Sequence, residues 1–233
     1  MYDIKNLHYG FLRRANKVDS LQDVNFYVPQ IDDYLNEALS IFIKETAKEV
    51  EYNQNRIDDL KNLMEFNKPL AIDCKKDFCT AKLPENYYRL VRIETIASKD
   101  GCIDKIKTYP IQFDDINNFL ESSEYKPSFY WRETGYEIVK NDILIWTNND
   151  FKIKDVKLTY LSKHPRLGNP EDSFEGKYTL PDGTDVKQQS LLLDNADQPN
   201  IIMDLAVLLA STDINDINFQ IKHAGLLNAF TKI

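Results

Sequence analysis

The stretch IDDYLNEALSIFIKETAKEVEYNQNRIDDLKNLM, residues 31–64, decides how the rest of the chain is read. Ile31, Tyr34, Leu35, Ala38 and Phe42 recur at three- and four-residue intervals, and Ile57, Leu60, Leu63 and Met64 resume the pattern. That spacing predicts one long helix, or two in series, with a single buried stripe. Asp32 and Asp33 fall in its expected first turn, where carboxylates favour the positive end of the helix dipole. Pro29 just upstream suits an extended entry. Between 46 and 56 the stripe fades, and the large apolar residues there are Val50 and Tyr52 alone. A helix polar on all sides bridges solvent, packs on a polar partner, or breaks, here near 53–55. A neighbouring subunit would supply such a partner.

Outward from this stretch the composition sets bounds. The chain has 233 residues, of which 42% are hydrophobic and 28% charged, so it can bury a substantial core and is not of disordered type. Tyrosine (13) and phenylalanine (12) are abundant, which fits strands and contact surfaces. The formal net charge is −8, and Arg13-Arg14 is the only arginine pair. Nucleic-acid binding rests on clustered cations at phosphates, so a tightly held DNA or RNA ligand is disfavoured. A surface past which DNA slides without sticking is compatible with this charge. Cys74, Cys79 and Cys102 make an odd, sparse set with no signal-peptide pattern in MYDIKNLHYGFLRR, which predicts a reducing compartment. No run approaches the roughly 20 apolar residues of a membrane span.

Before the long helix, residues 3–18 predict a short helix capped by Asp3, and 24–28 an extended piece. After Pro69 the period becomes alternating. Residues 69–73 and 78–83 predict a hairpin across Lys75-Lys76. Residues 87–98 are the clearest strand, returning at 102–109 through the turn Lys99-Asp100-Gly101. A short helix spans 112–122, with Phe113, Ile116 and Leu120 as its stripe. Strands at 128–133, 136–140, 143–146 and 154–161 have connections too short for crossovers, which predicts an antiparallel meander. The loop 162–176 is long, charged and rich in Pro and Gly, as functional or mobile loops are. A hairpin-like pair, 178–180 and 185–192, flanks Pro181-Asp182-Gly183. Residues 199–211 form a helix apolar on nearly every face and therefore buried, and 215–230 an amphipathic one.

The expected fold class is α+β, with N- and C-terminal helices around an antiparallel, meander- or sandwich-like body. The expected division is a helical segment 1–66, a β body 67–193 and C-terminal helices 194–233 packing with the first.

No constellation of catalytic type stands out. His8, His164 and His223 lie in separate segments without metal-ligand spacing, which predicts structural or surface roles. Cys74 and Cys79 lack a second ligand pair and read as neighbours on adjacent hairpin strands. Asp182-Gly183-Thr184-Asp185 lacks the acid spacing of a calcium loop. The paired acids Asp32-Asp33, Asp58-Asp59 and Asp114-Asp115 point in different directions on a helix. Phe129-Tyr130-Trp131 reads as a strand with Phe129 and Trp131 as a core pair, or else as a sugar- or base-stacking platform. No nucleophile elbow, phosphate loop or dinucleotide fingerprint is present, so the expectation is a non-enzyme with no cofactor and no metal.

Several segments, taken in order, resemble the head-to-tail connector (ring, or tail adaptor) proteins of crAss-like and related short-tailed phages of gut Bacteroidetes. Asn55-Arg56-Ile57-Asp58-Asp59-Leu60 resembles the end of that family's N-terminal helical half. Leu83-Pro84-Glu85-Asn86-Tyr87-Tyr88-Arg89-Leu90 resembles its strand entry. Pro110-Ile111-Gln112-Phe113-Asp114-Asp115-Ile116 resembles its Pro-then-Gln-x-Asp-Asp helix. Pro127-Ser128-Phe129-Tyr130-Trp131-Arg132-Glu133 resembles its PSF-x-WRE strand, 160–165 its strand exit, and 201–208 its buried C-terminal helix. The likeness runs from about 31 to 220, and Leu193-Asp194-Asn195 stands where the family has Glu-Leu-Pro.

The resemblance implies a virion structural protein of the neck, assembled in the host bacterial cytoplasm. It implies a homo-oligomeric ring, commonly twelve-fold, beneath the portal protein and next to other neck and tail rings. DNA would pass through the lumen without sequence-specific binding, and no membrane would be involved. A closed ring needs two different patches per subunit. The candidate interface residues are Lys44, Lys48, Glu51, Tyr52, Gln54 and Arg56 on the polar helix, with His164, Arg166, Asn169 and Phe174 on the loop. Two alternatives are a tail-associated module binding carbohydrate or protein through its aromatic strands, and a hydrolase with a dispersed site. The 7 glycines weigh against the last, because active-site turns lean on glycine.

Overall fold

A computed structural model describes residues 2–18, 26–49, 58–122, 124–193, 195 and 197–213. The chain is an α+β protein of two compact units. One unit combines residues 1–63 with 164–233, and the other is 64–163. The segment 164–193 therefore groups with the terminal helices rather than with the strands.

In the helical unit, α1 (Ile4–Val18) and α2 (Val28–Glu49) are both packed against α4 (Gln198–Asp213). Ile4, Leu7 and Phe11 on α1, Leu35, Ala38 and Phe42 on α2, and Ile202 and Ala206 on α4 are buried. The stripe of α2 thus performs as its periodicity predicts. Gly10 lies where α1 crosses α4, and a Cβ there would sit 2.2 Å from the Met203 sulfur. Arg14 closes the same contact through Asp204 (2.7 Å) and Asn200 (2.8 Å).

Two expectations about the long helical stretch are corrected. The helix begins at Val28, with Pro29 inside its first turn, where proline needs no donor. Tyr27 N–H donates to Gln30 Oε1 (3.0 Å) at that start. Asp32 and Asp33 consequently lie beyond the first turn and do not serve the helix dipole. At the far end Met64 is not helical: after a turn at Lys61–Leu63, it opens strand β1 (Met64–Pro69). Most of the polar middle, 50–57, lies outside the described residues, as does the expected helix 215–230.

The second unit is one eight-stranded sheet. Its strands are β1, β2 (Ile72–Cys74), β3 (Phe78–Lys82), β4 (Tyr87–Lys99), β5 (Cys102–Pro110), β6 (Glu133–Val139), β7 (Asp142–Trp146) and β8 (Lys152–Ser162). Their order is β1-β8-β4-β5-β6-β7-β3-β2. β1 and β2 stand at opposite ends of that order, yet only Leu70 and Ala71 separate them in sequence. Such a link reaches about 10 Å, whereas eight flat strands span about 34 Å. The sheet is therefore rolled until its two edges come together, and Leu70 N–H, one residue past β1, extends the β1–β8 ladder by donating to Val156 O (2.9 Å). Register shifts between Tyr87/Arg89, Leu90/Arg92 and Ile96/Ala97 bend β4 around the roll. Cys79, Ala97, Ile106, Ile143, Ile145, Ile153, Val156 and Leu158 fill the interior. Each large aliphatic side chain buried there contributes about 1.5–3 kcal/mol of transfer free energy.

The meander is corrected as well. β6 runs parallel to β5, and β8 leaves β7 to pair with β4. The chain from 111 to 132, with the short helix α3 (Ile116–Glu121), supplies the crossover that a parallel pair requires. Residues 128–132 are not a strand but a turn closed by the Ser128–Glu133 bridge. Cys74 and Cys79 face each other across β2 and β3 and are joined in a disulfide. Cys102 is free and exposed.

Candidate interaction site

The loop following β8 carries four of the residues expected at a subunit contact, and its shape is set by α2. Asp32 and Asn36 are one helical turn apart and so share a face. Asn36 behaves as a piece of backbone: its Oδ1 accepts from Leu167 N–H (2.8 Å) and its Nδ2 donates to Leu167 O (2.9 Å). Arg166 donates to Asp33 Oδ1 beside it.

Asp32 is completely buried and satisfied by three donors from distant segments. His8 Nε2 on α1 lies 2.7 Å from Oδ1, and Asn169 N–H donates to Oδ2 at 3.0 Å. The Tyr178 hydroxyl donates to the same Oδ2. Burial first, then the bond to Asp32, push the Tyr178 hydroxyl far up, so it stays a donor. A buried carboxyl group is tolerable in such a place only when its hydrogen-bonding positions are filled this way. The arrangement ties α1, α2, the middle of the loop and the segment just beyond it to one atom group.

Further out, Lys5 pairs with Glu171 (3.2 Å) and Asp172 (3.7 Å), and Asn169 Nδ2 donates to Asp172 Oδ2 (2.8 Å). Gly168 bridges to Gln189, and a Cβ on it would come within 2.6 Å of the Lys187 carbonyl, an approach only glycine allows. His164 accepts from Leu192 N–H at Nε2 (3.0 Å), while its Nδ1–H donates to Pro165 O. The loop is thus pinned from His164 to Asp172. From it Phe174 projects fully exposed, beside exposed Glu171 and Glu175.

The expected interface residues do not form one patch. Arg166 and Phe174 are exposed on the loop, whereas His164 is half-buried and Asn169 is buried, its side chain turned inward to Asp172 and Gln188. Lys44 and Lys48 are exposed on α2, about 12 and 18 Å along the axis from Asn36. Lys48 pairs with Glu45 of its own helix (2.7 Å). Glu51, Tyr52, Gln54 and Arg56 lie outside the described residues.

Phe129 and Trp131 do not make the expected core pair. Phe129 packs on Phe151, while Trp131 and Tyr130 are 70% and 82% exposed on the turn. Asp150 holds that turn: it accepts from Phe129 N–H (2.8 Å) and pairs with Lys99 (2.5 Å).

The role of Asp32 was hidden from the sequence, because its partners lie 24, 137 and 146 residues away. The one available sign was an acid on the edge of an otherwise apolar stripe. Among the described residues, no group of three or more His, Cys, Asp and Glu could hold a metal ion, and no helix is long and apolar enough to cross a membrane. No protein-family model matches the chain, and no curated protein matches it.

Proposed function

We propose that the protein is a structural component of a phage virion, a ring subunit of the head-to-tail connector that contacts copies of itself, the portal and neighbouring rings. The observation that carries this reading is Phe174. A large aromatic side chain held out in water on a loop tied down by Asp32, Asn36 and Lys5 is an anchor whose burial by a partner would gain transfer free energy. A preorganised loop also loses little entropy on association. The ordered series of short likenesses to connector proteins supplies the assembly class, and the net charge of −8 suits a wall past which DNA moves. The contact is heterologous, with the Phe174 loop of one copy against a different patch on the next.

Co-incubation with portal-bearing particles, followed by purification of the particles, tests the reading. The wild-type protein should co-purify in stoichiometric rings, and Phe174→Ser should lower occupancy at least about tenfold, as loss of an aromatic interface anchor does. Equal occupancy of the two proteins would remove Phe174 from the interface, and no occupancy by either would remove the connector assignment.

A further inference from the structure

A second feature, wholly within the strand unit, has the chemistry of a ligand site. β5 and β6 run parallel here, with Lys107 beside Glu133 and Tyr109 beside Gly135. Residues two apart on a strand face the same way, so Lys107 and Tyr109 share the outer face. The crossover returns above them. Gly135 makes room for it: a Cβ there would strike Ile111 at 2.0 Å and Phe119 at 3.0 Å. Between crossover and strands lies an open cleft of about 690 Å³.

The walls differ. Asp115, Asn118 and Ser122, spaced by three and four residues, line the helical side. Lys107 and Glu133, 3.8 Å apart, line the strand side. The floor is aromatic, with Tyr109 and Phe119 edge-to-face at 6.0 Å. Tyr125 forms a lip, 66% exposed, and its carbonyl accepts from the Tyr109 hydroxyl (3.1 Å). Burial pushes the Tyr109 hydroxyl up, and the nearby Glu133 adds to this, so it remains a donor.

These groups discriminate among ligand classes. Two carboxylates against one ammonium repel phosphates and nucleic acid. Asp115 and the two amides, Gln112 and Asn118, would lose water without gaining partners under a lipid chain. Lys107, paired with Glu133, works against a cationic peptide. A sugar ring fits each part: its C–H face lies on an aromatic ring, and its hydroxyls both donate and accept. Carboxylates accept from them, Lys107 donates to them, and the amides do both. Because the cleft is open rather than enclosed, a chain of several sugar units suits it better than a single enclosed ring.

We propose that this cleft binds a neutral oligosaccharide. The proposal goes beyond the connector reading and does not depend on it.

The purified full chain would be titrated with neutral hexasaccharides of glucose, mannose, galactose and N-acetylglucosamine, with saturation-transfer NMR and calorimetry as readouts. Heptaarginine and polyphosphate are the comparison probes. At least one hexasaccharide should bind at millimolar concentration or below. Tyr125→Ala and Asn118→Ala, both at exposed side chains, should each weaken it about five- to tenfold without changing the thermal melt. Absence of binding by every hexasaccharide at millimolar concentration would overturn the proposal. So would unchanged affinity in both variants, or a variant-sensitive response to heptaarginine or polyphosphate in place of the sugars.

Discussion

His8 and Asp32 meet inside the helical unit with Nε2 2.7 Å from Oδ1, although 24 residues separate them. The carboxylate also takes the Asn169 N–H and the Tyr178 hydroxyl, so one side chain fixes two helices and the loop that carries Phe174. Asp32→Ala leaves two buried donors, His8 and the Asn169 N–H, and the half-buried Tyr178 hydroxyl without this acceptor. It should cost about 3 kcal/mol or more, since each buried donor left unsatisfied costs about 1–3 kcal/mol. Urea denaturation reads this directly, and a loss below about 1 kcal/mol would show that the network carries no such weight.

His164 gives the same unit a pH dependence. Burial holds its imidazole below the usual histidine range, and the bond to Pro165 O opposes this only in part. Once unfolded, the ring regains its ordinary value of 6.5. The folded chain therefore binds this proton less readily than the unfolded one. This contribution is intact above pH 6.5 and is lost as pH falls below it toward the depressed folded-state value. Denaturation midpoints measured across that range should drop on acidification, and His164→Gln should flatten the drop while keeping an acceptor for Leu192 N–H. An identical slope in the variant would assign the effect elsewhere.

Glu137 on β6 has the opposite sign. Burial raises its carboxyl, and Oε2 has no hydrogen-bond partner among the described residues. The folded state favours the protonated form, so stability present below the unfolded value of 4.5 is lost as pH rises through the folded one. Glu137→Gln should raise the melting temperature at neutral pH by a few degrees, roughly the effect of about 1 kcal/mol in a domain of this size. The gain should vanish below pH 4.5. A lower melting temperature at neutral pH would mean that the carboxylate has a partner it needs.

The Cys74–Cys79 bond clips β2, an end strand of the rolled sheet, onto β3. A sequence separation of only 5 limits the entropy it removes from the unfolded chain. Replacing both cysteines by serine should cost about 2 kcal/mol by the loop-closure relation. Hydrogen exchange should quicken in β2 and at the β1–β2 seam while β4 and β8 stay protected. Uniform quickening across the sheet would show that the clip holds the whole roll.

The parts legible in the sequence were those governed by local periodicity. The stripes of α1 and α2, the all-round apolar and buried α4, and the β4–β5 hairpin at Lys99-Asp100-Gly101 lie where the apolar and turn residues put them. What local pattern left hidden depends on distant partners. Met64 opens a strand because β8 offers Leu161 as its neighbour, almost 100 residues later. Residues 128–132 read as a strand by composition, yet Asp150 and the Ser128–Glu133 bridge bend them into a turn. The parallel β5–β6 pair is invisible because the crossover helix is only six residues long. At the candidate interface, sequence pattern marked the loop and Phe174. It placed Asn169 on the surface because nothing local told that Asp32 would draw its backbone inward.

Electron microscopy of portal-bearing particles incubated with the purified chain tests the connector assignment most directly. The expected result is a closed ring beneath the portal in which the Phe174 loop of each copy is covered by its neighbour. Particles without added density, or a ring that leaves every Phe174 loop in solvent, would contradict it.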